Sequence, residues 1–575
     1  MSCSSVLAPT VRPPFIQVRG LTVRYSGCKQ PALLDLNFDI SRGEIVGVLG
    51  ESGSGKSTLA LSMLGLLPGS AKIDGSIVFQ ETLGDQEQRE QTRERDLLHF
   101  NEQKWRAVRG AKIAMIFQEP GLSLSPVMRV GDQIAEILRA HHQDEEKTRR
   151  QQVVALLQRV QLVEADRVYN AYPHQLSGGQ LHRIAIAQAL ACSPGLLLAD
   201  EATRALDVTL QTELLALLRQ MNRELGSALL FITHNPALLA GFADRVLVMH
   251  AGRIVEEGRA ERVFREPQHP RTRTLMRLSP SARRTPGEVS IVATEKATSC
   301  VPETNLVKAN HLSKSYTQRA PFSRKEFVIE ALAEVDFEIA PGSVTALVGE
   351  SGSGKSTLAT CLAMLEKPDS GEIWFDGQEV SRLKARELSP LRHRIQMVFQ
   401  DSAGALNPRF SAWEIIAEPL EIRSRENTRK LRTRACEFME EVGLSPDWAD
   451  RGPLEFSGGQ RQRLAIARAI ALKPSFLILD EALSGLDLVT QALILDLLLD
   501  LRAAHGLTYL LISHDFRLVG EVADSIAVMH KGRIVEQGRR REIIGHPRNV
   551  HTQELLGSVK KVESAYRTAK AGSTR

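Results

Sequence analysis

The nine residues GESGSGKST stand at 50–58 and return unchanged at 349–357, 299 positions apart in a chain of 575. Each copy follows a short apolar run, EIVGVLG (44–50) or SVTALVG (343–349), and precedes a helix-like segment, TLALSMLGLL or TLATCLAML. Strand, glycine loop and helix form the context in which backbone N–H groups converge on phosphate oxygens, helped by the positive end of the helix dipole. Gly50, Ser52, Gly53, Gly55, Lys56, Ser57 and Thr58, and their repeats Gly349, Ser351, Gly352, Gly354, Lys355, Ser356 and Thr357, are the candidate phosphate-binding residues. Within them Lys56 and Lys355 are placed to reach the outer phosphates, and Ser57 and Ser356 a magnesium ion. A glycine turn that binds nothing is the bland reading of one copy. Two identical copies in matching contexts leave it little room.

The repeat runs on beyond the loop. Residues 174–202, HQLSGGQLHRIAIAQALACSPGLLLADEA, realign with 454–482, LEFSGGQRQRLAIARAIALKPSFLILDEA, at an offset of 280, as do FITHN with LISHD and VMHAGRIVEEG with VMHKGRIVEQG. The offset drops because the first half holds 17 more residues between Lys56 and Gln118 than the second does between Lys355 and Gln400; the polar run GDQEQREQTRERD (84–96) accounts for most of them and is expected to be a solvated excursion. Such length exceeds one core, so two homologous domains are expected, 1–278 and 306–575, joined by a Ser/Thr/Pro-rich linker at 279–305. A net charge of +5 does not argue for nucleic acid, and six scattered cysteines without a C-x-x-C pair fit reduced thiols rather than a metal cluster. No run approaches the ~20 apolar residues of a membrane span, and the N-terminus lacks the features of a signal peptide. The basic tail from Lys560 to Arg575 is expected to be disordered.

The runs GLLLADE and SFLILDE each carry an apolar strand into two carboxylates, Asp200–Glu201 and Asp480–Glu481. A buried strand that delivers an aspartate to its carboxyl end suits a magnesium ligand beside a phosphate loop, and the next carboxylate suits a general base.

With LSGGQ (176–180) and FSGGQ (456–460) just upstream of those strands, the chain resembles the ABC-type ATPases over nearly its whole length. The resemblance implies an α/β fold of two tandem P-loop domains, each with a RecA-like core, an antiparallel β subdomain and a helical signature subdomain. It further implies that Tyr25 and Tyr316 stack on adenine, that Gln118 and Gln400 reach the metal, and that His234 and His514 act as catalytic switch residues beside the bases Glu201 and Glu481. ATP and Mg2+ are the implied cofactors. In the family two such domains close head to tail. One site would then join Lys56, Ser57, Gln118, Asp200, Glu201 and His234 to Ser457, Gly458, Gly459 and Gln460; the other would join Lys355, Ser356, Gln400, Asp480, Glu481 and His514 to Ser177, Gly178, Gly179 and Gln180. Both sites keep the full set, so two hydrolytic sites are expected. One departure is Arg204, where Ser484 stands in the second copy. The two readings are an arginine that crowds the domain interface or pairs with a neighbouring acid, making the sites unequal, and one whose head reaches solvent, which is the expected one.

The segments EPGLSLSPVMRVGDQI and DSAGALNPRFSAWEII, and VFREPQHPRTRTLM (263–276) with a looser counterpart at 543–556, resemble elements of the peptide/nickel importer branch. That branch implies two separate membrane permeases, a solute-binding protein and a peripheral place on the cytoplasmic face of the inner membrane. The substrate would be a peptide or, since the chain lacks a cysteine-bearing extension, a metal chelate such as a nickel or metallophore complex. The alternative, a soluble tandem ATPase acting on ribosomes or nucleic acid, lacks the long basic linker or cysteine clusters those branches carry.

Overall fold

The computed structural model describes residues 14–28, 30–83, 91–142, 144–204, 206–278, 305–319, 326–401, 404–423 and 426–571. The chain divides into two compact units, Met1–Ala282 with Lys561–Arg575, and Arg283–Lys560. The expected linker falls outside the described residues except for its last, Asn305.

In the first unit a six-stranded sheet runs in the order Arg253–Arg259, Arg245–His250, Ile45–Gly50, Ala228–Thr233, Leu196–Asp200, Ile113–Ile116. Every neighbouring pair is parallel except the first, in which Arg253–Arg259 turns back along Arg245–His250. Ile45–Gly50, Leu196–Asp200 and Ala228–Thr233 are buried at every position. Such unbroken apolar runs are what a parallel strand covered on both faces requires. The pairing register then places the functional ends together: Leu49 stands opposite Thr233, Gly50 opposite Met249, and Asp200 opposite Ile232. The phosphate loop, the Asp-Glu pair and the histidine segment therefore leave the sheet along one carboxyl edge, where open α/β sheets hold their ligands.

The second unit repeats this order with Arg533–Arg539, Ser525–His530, Val344–Gly349, Thr508–Ser513, Phe476–Asp480 and Ile395–Val398. Its register also matches, with Val348 opposite Ser513 and Asp480 opposite Ile512. Each unit adds a four-stranded antiparallel sheet and a helical segment that leads into the signature helix, Gly178–Leu190 or Gly458–Ile470. In the second unit that segment is welded to the core by Ile415, Leu431, Phe438 and Leu464, all buried.

Two expectations need correction. Part of the polar run at 84–96 is a strand: Gln91–Asp96 pairs antiparallel with Lys72–Leu83 as an edge of the four-stranded sheet, whose second-unit counterpart is only Gln378–Glu379. Backbone pairing needs no apolar side chain at an edge, and charge there blocks further strand addition; residues 84–90 lie outside the described ones. The basic tail is also ordered for most of its length. Helix Val550–Ala571 includes Tyr566, which is fully buried, edge-on to Phe264 at 5.9 Å and donating its hydroxyl to the Met276 carbonyl at 3.3 Å. One aromatic anchor outweighs the surrounding polar sequence.

Candidate functional site

The two phosphate loops fold alike, with glycine standing where their shared backbone path admits no other residue. At Gly55 φ is 100° and a Cβ would lie 2.6 Å from the Ala32 carbonyl oxygen; at Gly354 φ is 106° and the same contact, to Ala331, would be 2.3 Å. Only glycine holds that conformation so close to another backbone. The helices Lys56–Met63 and Lys355–Leu362 start immediately afterwards. Lys56 and Lys355 are buried, and each ammonium donates to two loop carbonyls: Lys56 to Gly50 at 3.0 Å and Glu51 at 2.8 Å, Lys355 to Gly349 at 2.9 Å and Glu350 at 2.7 Å. Ser52, Gly53 and Ser57 are exposed along the loop, as are Ser351, Gly352 and Ser356.

Asp200 and Asp480 end their strands buried. Ser57 hydrogen-bonds Asp200, and Ser356 Oγ donates to Asp480 Oδ1 at 3.3 Å. Burial, the dominant influence, raises the pKa of both carboxyls. Asp200 Oδ1 has no hydrogen-bond partner at all. A desolvated carboxylate oxygen of this kind, with a serine hydroxyl alongside, is a donor set suited to a small hard cation.

Glu201 and Glu481 both adopt the left-handed backbone conformation, φ 46° and 45°. That conformation costs a non-glycine residue on the order of 1–3 kcal/mol, and both copies hold it with the same bond, the glutamate N–H to Ile232 or Ile512 at 3.0 and 3.1 Å. The strain turns the carboxylates toward the histidines. His234 Nδ1 lies 3.2 Å from Glu201 Oε1, and His514 Nδ1 3.5 Å from Glu481 Oε2. A carboxylate only accepts, so Nδ1–H is the donor.

The copies part here. In the first, Arg204 Nη1 donates to Glu201 Oε2 at 2.9 Å, which corrects the expectation of a solvent-directed head. The arginine lies three residues from a desolvated carboxylate, across a turn closed by its own N–H to the Glu201 carbonyl at 2.9 Å, and ion pairing wins over solvation. Burial works to raise the Glu201 pKa, but the His234 hydrogen bond and charge and then Arg204 overcome it and hold the carboxyl at about 2. In the second copy Ser484 Oγ donates to the Glu481 backbone carbonyl at 2.7 Å, and Gln400 Nε2 donates to Glu481 Oε2 at 3.1 Å. Burial likewise opposes, and His514 leads, a lowering of the Glu481 pKa. Gln118 occupies the corresponding turn after Ile113–Ile116 and is half-buried.

Tyr25 is half-buried with its hydroxyl 3.3 Å from Thr58 Oγ1, and Tyr316 is 37% exposed with its hydroxyl on Glu366 at 2.7 Å; neither ring is a core tyrosine. The signature residues form capping boxes. Ser177 Oγ accepts from Gln180 N–H at 3.3 Å while Gln180 Oε1 accepts from Ser177 N–H at 3.0 Å, and Ser457 and Gln460 repeat the pair at 3.4 and 2.9 Å. Ser177, Gly178, Ser457 and Gly458 are exposed at the free helix ends, with Gly179, Gln180, Gly459 and Gln460 partly covered in the first turn. The sequence offers each of these residues as a candidate and, for Arg204, pairing with a neighbouring acid as the less expected reading; the left-handed glutamates have no signal in it beyond the repeat.

The ABC transporter family matches residues 33–204 and 332–484, and the oligopeptide/dipeptide transporter C-terminal region matches 255–326. The chain is 41% identical over 557 residues to the peptidoglycan transport ATP-binding protein YejF of Agrobacterium fabrum, covering 96% of this chain and 97% of that protein. It is 39% identical to the glutathione import ATP-binding protein GsiA of Pectobacterium atrosepticum, covering 95% and 89%. Among solved structures, a post-hydrolysis dimer of the ATP-binding cassette MJ0796 bound to ADP and Pi shares 31% identity with a TM-score of 0.37, over 41% of this chain and 99% of that one. This chain belongs to the ABC transporter family, as an ATPase with two ATP-binding cassettes fused in one polypeptide.

Proposed function

We propose that this protein is the ATP-hydrolysing subunit of an importer for small peptides, with catalytic cassettes at 1–278 and 306–575 joined by 279–305. The observation that carries the hydrolytic part is the threefold convergence, in each unit, of a buried lysine, a buried aspartate bonded to the loop serine and a histidine-held glutamate along one sheet edge. Lys56 and Lys355 hold the outer phosphates, and Tyr25 and Tyr316 flank the adenine. Asp200 with Ser57, and Asp480 with Ser356, hold Mg2+, assisted by Gln118 and Gln400. When bound, Mg2+ neutralises charge developing on the transferred phosphoryl group. Glu201 and Glu481 accept the proton of the attacking water, and His234 and His514 orient them. Each site is completed by the signature of the other cassette: Ser457, Gly458, Gly459 and Gln460 close on the first loop, and Ser177, Gly178, Gly179 and Gln180 on the second. An exposed capped helix N-terminus is suited to a terminal phosphate, and its loss on hydrolysis lets the cassettes part.

The match at 255–326 to an oligopeptide/dipeptide transporter region and the peptidoglycan and glutathione named for the two relatives support peptides over metal chelates. The protein works at the cytoplasmic face of the inner membrane with two permease subunits and a solute-binding protein; among the described residues no helix is long and apolar enough to cross a membrane. Uptake of a labelled tripeptide such as glutathione and of a labelled nickel–chelator complex, compared in cells lacking the protein, tests the substrate. Loss of peptide uptake alone, restored by wild type and not by the Glu201→Gln/Glu481→Gln form, is the expected result; loss of nickel uptake alone refutes it.

A further inference from the structure

The phosphate loops are identical in sequence, yet different side chains border them. In the first unit the loop carboxylate Glu51 faces His250, with Nδ1 3.9 Å from Oε2, and Arg271, with Nη1 4.0 Å from Oε1. In the second, Glu350 faces His530 at the same 3.9 Å, but the place of Arg271 is taken by His551, whose Nε2 lies 3.8 Å from Glu350 Oε1. The equivalence is structural as well as by sequence offset. Glu256 accepts backbone N–H bonds from Gln268 and His269, Glu536 accepts them from Arg548 and Asn549, and the next residues after Arg271 and His551, Thr272 and Thr552, are both fully buried.

Substituting histidine for arginine removes a permanent cation and supplies a lone pair. One ligand atom each from Glu350, His530 and His551 lies within 4.8 Å of the others, and the two imidazole rings are 3.7 Å apart between centroids. His551 Nε2, which faces Glu350, is buried without a hydrogen-bond partner. His551 Nδ1 lies 3.5 Å from Glu554 Oε2. That carboxylate is placed to accept from Nδ1–H, the tautomer that leaves the Nε2 lone pair free to bind a metal. We propose that Glu350, His530 and His551 form a binding site for a divalent transition-metal ion of the zinc class, held against the phosphate loop of the second cassette where the first cassette keeps the Arg271 guanidinium. Two imidazoles and one carboxylate make a mixed nitrogen–oxygen set that suits Zn2+ and not the all-oxygen preference of Mg2+ or Ca2+. Tetrahedral ligands about 2.1 Å from zinc stand roughly 3.4 Å apart, so the side chains need move inward only slightly. A bound ion would also restrain the loop, because the backbone carbonyl of Glu350 is one of the two that hold Lys355. Occupancy therefore slows turnover at the second site; this consequence, unlike the binding itself, rests on reading that loop as an ATPase site.

The test is a titration of the nucleotide-free, chelator-stripped full chain with Zn2+ against a chromophoric competitor, for wild type, His551→Arg and His530→Gln. His551→Arg rebuilds the arrangement of the first cassette and so keeps the fold. The expected result is one Zn2+ per chain in wild type that both variants bind more than about tenfold more weakly, with Co2+ giving a visible ligand-field spectrum in wild type alone. Equal zinc stoichiometry and affinity in all three proteins, or none in wild type, overturns the site. ATP hydrolysis at buffered free Zn2+ then reads the coupling: inhibition of wild type and resistance of His551→Arg support it, and equal inhibition of both refutes it.

Discussion

Arg204 takes the Glu201 carboxylate oxygen that does not face His234, whereas in the second copy Gln400 and His514 both approach the same Glu481 oxygen, Oε2. As the proposed base, a Glu201 carboxyl held at about 2 by His234 and Arg204, against the raising effect of burial, is a weak acceptor for the proton of a water, since proton transfer follows the driving force set by pKa. The first site is therefore expected to turn over more slowly than the second. In a Glu481→Gln background, which leaves only the first site active, Arg204→Ser should raise ATP turnover by about threefold to tenfold, read as phosphate release. No change would show that the arginine leaves Glu201 before the chemical step. Residue identities at the site were legible in the sequence because each is bound to a motif that occurs twice. The Arg204 pairing was legible only as one of two readings, because an i, i+3 spacing is compatible with a side chain turned either way, and only the desolvation around Glu201 decides.

At the scale of elements, local hydrogen bonding explains what the signature residues do without nucleotide. Ser457 and Gln460 satisfy each other's backbone N–H groups at the start of Gly458–Ile470, as a capping box does. Ser457→Ala should cost about 1 kcal/mol of stability in chemical denaturation in the absence of ATP, in addition to any loss of turnover; a purely ligand-contacting serine would cost none. The parallel strands were legible as unbroken apolar runs placed before each motif. The edge strand Gln91–Asp96 was not, since its sequence QTRERD lacks apolar alternation and is held by backbone pairing to Lys72–Leu83.

Across the whole molecule the repeat explains why both units share one sheet order and one register, while the departures from it mark where the two halves have separate work. Tyr566 has no counterpart within the chain's repeat, and its ring completes a cluster with Phe264 and Met276 in the first unit. Its burial was hidden by the charged residues around it, which dominate any composition-based reading of the tail. Tyr566→Ala should lower the stability of the first unit by about 3 kcal/mol, as aromatic truncations in packed cores do, and differential calorimetry would show that transition shifted down. The measurement that bears most directly on the central claim, two glutamate-based hydrolytic sites in one chain, is steady-state ATP turnover of Glu201→Gln, Glu481→Gln and the double form, with ATP affinity measured in parallel. Each single form should retain partial turnover, with the larger loss in Glu481→Gln, and the double form should fall by at least about a hundredfold while still binding ATP. Turnover near wild type in the double form would contradict the assignment of both carboxylates.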